Sequence, residues 1–297
     1  MILKSKPIKI IISVLLVLFL KENIFAEDVE ITNDFTVYGV SIQYDSSLHI
    51  SPAPSMPSIL FEAIISPETL NIEEATFNWS FVCTFYQHGR QDERSFSATI
   101  VGDPEWEPNI GSLIAGGDCQ VSLLVEIMGL ELEASLGGIS ITGENPTNAD
   151  VIAALGGSPA VEIACWESGH VLDQFDSAGW PLFGPPNGWG IMQIDNPPAA
   201  CPLTEAVIWD WRENIATGLC VINAKENDAR GYPSRVRRIY PNATEFTDEQ
   251  LLYETIQRYN GGSYWTWGES LNPSQGQQWI ATPPNDYVQN VLSTNCQ

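Results

Sequence analysis

The chain has few basic residues. Its 297 residues include 13 lysines and arginines against 37 aspartates and glutamates, which gives a formal net charge of -24. A surface this acidic repels phosphate backbones, so nucleic acid is excluded as a partner. The same charge gives no long-range attraction to the anionic polymers of a cell envelope, so an encounter with such a polymer has to be short-ranged or shielded by salt.

Histidine is scarce, and the cysteines do not form the close pairs that are typical of zinc sites. The histidines are His49, His88 and His170, and the sequence contains no Cys-x-x-Cys. Zinc in proteins is held mainly by clustered cysteine and histidine side chains. We therefore expect neither a metal nor a cofactor. A nucleophilic pair formed by Cys165 and His170 is the alternative use of those two residues.

Beyond residue 26 the sequence has no apolar run long enough to span a bilayer. Before it, Lys4, Lys6 and Lys9 precede an apolar run over residues 10–20, and Ala26 can end a cleavage site. This pattern predicts a signal peptide over residues 1–26 and a secreted or periplasmic protein. Because Ile24 is not the small residue that cleavage sites prefer, an uncleaved membrane anchor is the alternative, although the run is short for a spanning helix.

All six cysteines follow the predicted signal peptide. An even number of cysteines in an exported chain predicts disulfides rather than free thiols. The simplest scheme pairs Cys83 with Cys119 in a first domain. It leaves Cys165, Cys201, Cys220 and Cys296 to pair within a second domain.

Residues 27–145 alternate between apolar and polar side chains with the period of a β-strand. Two stretches show this best, one with Phe77, Trp79, Phe81 and Cys83 and one with Val121, Leu123, Val125 and Ile127. Such alternation, interrupted by glycine and proline, predicts short antiparallel strands in a β-sandwich. The tryptophan and the cysteines resemble an immunoglobulin-like or fibronectin-like module, although the two cysteines are closer together than in a standard immunoglobulin domain. We expect this module to offer a surface to an envelope protein partner.

Residues 146–297 carry helix signals. Apolar residues recur at helical spacing between residues 211 and 228, and Thr247 with Gln250 forms a predicted capping box for a helix that stops at Gly261. Ser158 and Pro159 can begin an earlier helix, which Gly169 can end.

Glu167 is the candidate acid of that earlier helix. Ala160, Ile163 and Ala164 precede it by seven, four and three residues, so the carboxyl group lies at the end of an apolar stripe. Loss of hydration raises the pKa of a carboxyl group, so Glu167 can stay protonated and donate a proton. The alternative is a solvated glutamate at a helix end.

Four short motifs occur in a fixed order around Glu167. They are Glu167-Ser168, Met192-Gln193-Ile194 with Asp195 directly after it, Asn214-Ile215-x-x-Gly218, and Tyr259-Asn260-Gly261. Together they resemble the catalytic core shared by goose-type lysozymes and soluble lytic transglycosylases. The resemblance implies an α+β chain of two domains, in which an antiparallel β-sandwich precedes a mainly α-helical lysozyme-like domain.

The resemblance also implies an activity and a set of site residues. The substrate would be the glycan strand of peptidoglycan, cleaved at the β-1,4 bond between N-acetylmuramic acid and N-acetylglucosamine, with Glu167 as general acid and base. A lytic transglycosylase that forms 1,6-anhydro ends is expected. One alternative is a hydrolase whose water is positioned by Asp195, with assistance from Asp173 or Asp176 in the loop after Glu167. Another is a non-catalytic protein that binds glycan or protein. The implied substrate-binding residues are Ser168, Trp189, Met192, Gln193, Asn214, Tyr259 and Asn260.

Overall fold

The computed structural model describes residues 38–45, 48–68, 70–111, 113–270, 274, 276–282 and 286–296. The predicted signal peptide, residues 1–26, lies outside the described residues. Among the residues that are described, none of the helices is both long and apolar enough to cross a membrane. The chain divides into two compact units. The first comprises described residues within 1–48, 57–112 and 117–141, and the second those within 49–56, 113–116 and 142–297.

The first unit is built from strands. Three of them, β1 (Gly39–Asp45), β3 (Leu60–Ser66) and β6 (Glu105–Trp106), form an antiparallel sheet in the order β1-β3-β6. The others are β4 (Thr76–Gln87), β5 (Arg90–Val101), β7 (Gly117–Ile127) and β8 (Leu130–Gly143), which pair in the antiparallel order β8-β7-β4-β5. The last two residues of β8 belong to the second unit, where β2 (His49–Ile50) pairs with them in parallel.

Aromatic side chains fill the core of the first unit. The predicted alternation holds in β4 and β7: Phe77, Trp79 and Phe81 are buried, as are the apolar partners on β7. The indole ring of Trp79 lies 6.2 Å from the ring of Phe61 on β3 and 5.9 Å from that of Trp106 on β6. Large offset rings bury much apolar area, so this cluster holds the two sheets against each other.

The predicted fold class, an antiparallel immunoglobulin-like sandwich followed by a mainly α-helical lysozyme-like domain, is wrong. Among the described residues, more lie in strands than in helices. The five-stranded sheet is mixed because β2 is parallel to β8. Cys83 and Cys119 are direct register partners on the neighbouring strands β4 and β7, whereas the immunoglobulin disulfide joins two sheets. The physical reason for the error is that period-two alternation identifies the buried face of a strand but not its neighbours or their direction.

The second unit combines helices with two short hairpins. Its helices are α1 (Asn148–Leu155), α2 (Ala160–Glu167), α3 (Glu205–Trp209), α4 (Trp211–Val236), α5 (Asp248–Tyr259) and α6 (Asp286–Ser293). Its hairpins pair β9 (Phe183–Gly184) with β10 (Gly188–Trp189), and β11 (Trp265–Glu269) with β12 (Gln277–Ala281). The predicted capping box of α5 is confirmed, since the side chains of Thr247 and Gln250 each accept a hydrogen bond from the other's backbone nitrogen.

Two disulfides link separate segments of this unit. Cys165 of α2 is bonded to Cys296, three residues beyond α6, and Cys201 is bonded to Cys220 of α4. With Cys83 and Cys119 in the first unit, all six cysteines are paired. Three disulfides are compatible with a protein of an oxidising, extracellular compartment.

Candidate active site

Glu167 is the last residue of α2, and the apolar stripe before it is buried. Ala160, Ile163 and Ala164 lie in the core of the second unit, so α2 is fixed with its C-terminal residue at the edge of that core. The Glu167 side chain is half-buried. Burial raises the pKa of its carboxyl group above the ordinary value of 4.5, because the charged form loses more hydration than the neutral form.

Tyr287 of α6 is the hydrogen-bond partner of this carboxyl group. Its hydroxyl donates to Oε1 of Glu167 at 2.5 Å, which stabilises the carboxylate and lowers the pKa in opposition to the larger effect of burial. The pKa of the Tyr287 phenol is itself raised, first by burial and then by the charge of Glu167, so the phenol keeps its proton. Sequence reasoning gave Tyr287 no role in the site. The signal for it was indirect: Cys165 in α2 and Cys296 after α6 bring these two helices together.

Tyr259, the last residue of α5, is a second phenol beside Glu167. Its hydroxyl donates to the backbone carbonyl of Met192 at 2.6 Å. Burial and then the nearby charge of Glu167 raise the pKa of the Tyr259 hydroxyl well above its ordinary value. Tyr259 is therefore a neutral residue that joins the end of α5 to the loop carrying Gln193.

Two buried amides hold that loop in place. Asn214 of α4 accepts from the backbone nitrogen of Met192 at 2.9 Å and donates to the carbonyl of Trp189 at 2.9 Å. Gln174 accepts from the backbone nitrogen of Ile191 at 3.3 Å and donates to the carbonyl of Ile208 at 2.6 Å. Both amides are fully buried. Buried backbone N–H and C=O groups need hydrogen-bond partners. In this loop the two amide side chains supply the hydrogen bonds that a neighbouring strand would supply in a sheet.

Glycines make room for the side chains of the loop. A Cβ atom at Gly184 or Gly188 would collide with the amide oxygen of Gln193, and one at Gly218 would collide with the side chain of Met192. Gln193 has a positive φ of 44° and donates from Nε2 to the carbonyl of Gly190 at 2.8 Å. The hairpin β9–β10 therefore encloses the Gln193 side chain, and α4 lies close against Met192.

These elements surround one cavity of about 310 Å³. Five of the predicted site residues line it: Glu167, Gln193, Asp195, Tyr259 and Asn260. Ile194 and Gly261 also line it; they belong to the four motifs but were not among the predicted site residues. The wall is completed by residues to which the sequence gave no part in the site: Gly184, Pro185, Pro186, Gly188, Asn196, Pro197, Pro198, Val221 and Lys225.

The other four predicted site residues lie outside the cavity wall. Met192 and Asn214 are fully buried, and Trp189 is buried with its ring edge-on to that of Phe183. Ser168 is buried too, and its hydroxyl accepts from the backbone nitrogen of Leu172 at 3.0 Å. Their positions suit support of the loop and of the end of α2 rather than contact with a ligand.

The acids of the loop after Glu167 have separate surroundings. Burial raises the pKa of Asp173, but this residue is not part of the cavity wall. Asp176 accepts hydrogen bonds from the backbone nitrogens of Ala178 and Trp180, which closes a turn. Asp195 is exposed at the cavity and is the second carboxylate of its wall.

Comparison with protein-family models, with curated proteins and with solved structures finds no match for this chain. The resemblance to goose-type lysozymes and soluble lytic transglycosylases therefore depends on the four short motifs alone.

The burial of Glu167 predicts a pH-dependent effect on stability. Since its pKa is higher in the folded than in the unfolded chain, the folded chain binds more protons between the two values, and the free energy of unfolding falls as pH rises through them. Replacing Glu167 with glutamine removes this loss. We expect Glu167→Gln to match the wild type well below pH 4.5 and to be more stable at neutral pH, as measured by urea unfolding across this range.

The matched control is Glu213→Gln, which removes an exposed carboxylate from α4. The gain in free energy of unfolding that is expected for Glu167→Gln as pH rises should be absent in Glu213→Gln. An unchanged or lower neutral-pH stability of Glu167→Gln would contradict the assigned burial effect.

Proposed function

We propose that the second unit cleaves the β-1,4 bond between N-acetylmuramic acid and N-acetylglucosamine in peptidoglycan, with Glu167 as the general acid. The observation that carries this proposal is the Glu167 carboxyl group at a cavity wall, with its pKa raised by burial and its oxygen bonded to the hydroxyl of Tyr287. Glycosidic cleavage needs a carboxylic acid that is still protonated when the sugar binds.

In the first step, Glu167 donates its proton to the bridging oxygen as the bond to the anomeric carbon breaks. The carboxylate that forms is stabilised by the Tyr287 hydroxyl, which already donates to it. Tyr259 is held beside it as a neutral phenol by its bond to the Met192 carbonyl. No protein carboxylate has to attack the sugar in this step.

In the second step, the Glu167 carboxylate accepts the proton of the sugar's own 6-hydroxyl group as that oxygen bonds to the anomeric carbon. The product is a 1,6-anhydro end, and Glu167 regains its proton. This sequence needs one carboxyl group that serves first as acid and then as base.

Side-chain amides at the cavity suit a substrate with N-acetyl groups. Gln193 and Asn260 both line the wall, and each amide can donate and accept hydrogen bonds. A volume of about 310 Å³ is at the small end for ligand pockets, which suits one sugar of a longer chain lying across an open site.

Hydrolysis is the second candidate, and the observation that favours it is the position of Asp195. This exposed carboxylate lines the same cavity as Glu167. A second carboxylate can activate a water on the opposite face of the sugar, which gives a reducing end in place of the anhydro ring.

The disulfides support export. Because the proposed substrate is part of the cell wall, we propose that the protein is periplasmic or secreted. We propose that the sheets of the first unit serve as the surface for an envelope protein partner.

Digestion of purified sacculi tests the role of Glu167. Removing a general acid commonly lowers a rate by about 10²- to 10⁴-fold. We expect a loss of this size for Glu167→Gln in the release of soluble muramyl fragments, and wild-type release for Glu213→Gln. Absence of release by the wild type, or equal release by both variants, would exclude the proposed activity.

Substitution of Asp195 by asparagine separates transglycosylation from hydrolysis. If the 6-hydroxyl group of the sugar is the nucleophile, Asp195→Asn should keep the wild-type rate within about threefold and still give anhydro ends, because no water has to be activated. Mass spectrometry of the fragments distinguishes anhydro from reducing ends. Reducing ends from the wild type, with a rate that collapses in Asp195→Asn, would establish the hydrolase instead.

A further inference from the structure

Lys225 is the only lysine that follows residue 21 in the sequence, and it lines the candidate cavity. It lies on α4, one helical turn after Val221, which also lines the wall. The proposed reaction gives Lys225 no role. In a chain with 37 acidic residues, a cation at this position calls for a separate explanation.

The ammonium group of Lys225 has no partner within the part of the chain that the structure describes. Several arginines elsewhere are paired: Arg230 with Glu226, Arg237 with Glu245, and Arg258 with Glu254 and Asp228. Lys225 is half-buried, yet it forms no hydrogen bond or ion pair among the described residues. An anion that enters the cavity can therefore pair with an ammonium group that no described residue engages.

None of the described acids near Lys225 forms an ion pair with it. The neighbouring Glu226 is engaged by Arg230. Glu167 holds its proton more tightly than an ordinary glutamate and bonds to Tyr287. Asp195 is exposed and solvated.

We propose that Lys225 binds a carboxylate of the substrate and so makes the cavity selective for glycans that carry an acidic substituent, such as the lactyl group of muramic acid in strands without a peptide stem. This inference rests on the proposed function for the identity of the glycan. Neutral N-acetylhexosamine polymers of the same linkage are the disfavoured substrates. The acidic surface of the protein repels an acidic glycan at long range, and the contact with Lys225 inside the cavity compensates for this repulsion at short range.

Binding measurements without turnover test this inference. The host is Glu167→Gln, and the ligands are two preparations of peptide-free glycan strands, one with free lactyl carboxylates and one with these groups converted to neutral methyl amides. Calorimetry should show that the acidic strands bind about tenfold more tightly, since a hydrogen bond to a charged group contributes at least that factor. Added salt should reduce the preference.

Variants at Lys225 give the decisive comparison. Adding Lys225→Met should abolish the preference while leaving the affinity for neutral strands unchanged, and adding Lys225→Arg should retain it. Arg238→Met, which removes an exposed cation from outside the cavity wall, should keep the full preference and so controls for net charge. Equal affinities for the two strand preparations, no binding of either, or a preference that survives Lys225→Met would overturn the inference.

Cleavage by the wild type is read separately. If a Lys225-dependent preference is found but sacculi are not cleaved, the proposed activity fails while the anion-binding site stands. If sacculi are cleaved but the preference is absent, the proposed activity stands while the anion-binding site fails.

Discussion

The candidate site depends on one carboxyl group that is kept partly out of water. Glu167 has this environment because α2 ends at the edge of the core, and because α6 lies beside it with a phenol directed at the carboxyl oxygen. The bond between Cys165 and Cys296 links the two helices, and the buried Val288 and Val291 anchor α6. Desolvation favours the protonated acid, whereas the Tyr287 hydroxyl favours the carboxylate. A group balanced in this way can release and regain a proton within one reaction.

The second requirement is a loop whose backbone is satisfied by side chains. Asn214 and Gln174 are buried polar residues, and burying them would be unfavourable if either amide lacked partners. Asn214 makes hydrogen bonds to backbone atoms on both sides of Gly190, at Trp189 and Met192, and Gln174 accepts one from Ile191, so the segment that presents Gln193 is held in place. Tyr259 adds a further bond to the same segment, at the Met192 carbonyl. Asn214 was predicted to bind substrate, but its role in the fold is to hold the loop whose residues line the cavity.

Local features of this chain could be predicted from its sequence, and pairings between distant segments could not. The apolar stripe before Glu167, the capping box of α5 and the buried face of β4 each depend on residues within a few positions of one another. The parallel pairing of β2 with β8 joins residues about ninety positions apart, and no periodicity encodes it. For the same reason the immunoglobulin-like assignment failed: Cys83 and Cys119 can join two sheets or two neighbouring strands, and their spacing does not distinguish these cases.

The same limit applies within the site. The four motifs include Glu167, Gln193 and Tyr259, which line the cavity, but also Ser168, Met192 and Asn214, which are buried. The motifs alone did not distinguish these two groups. The spacing of the motifs indicates which helices and loops form the site. Whether a side chain faces the cavity or the core depends on how those elements pack. Tyr287 is 120 positions from Glu167, and Lys225 belongs to none of the four motifs. The fold was needed to place both at the site.

The protonation of Glu167 is tested most directly by titrating its side-chain carboxyl carbon by NMR in the wild type and in Tyr287→Phe. The wild-type pKa should lie above 4.5, and it should rise further in Tyr287→Phe, because the hydroxyl that stabilises the carboxylate is gone. A wild-type pKa at or below 4.5, or a fall in Tyr287→Phe, would contradict a desolvated acid held by that phenol.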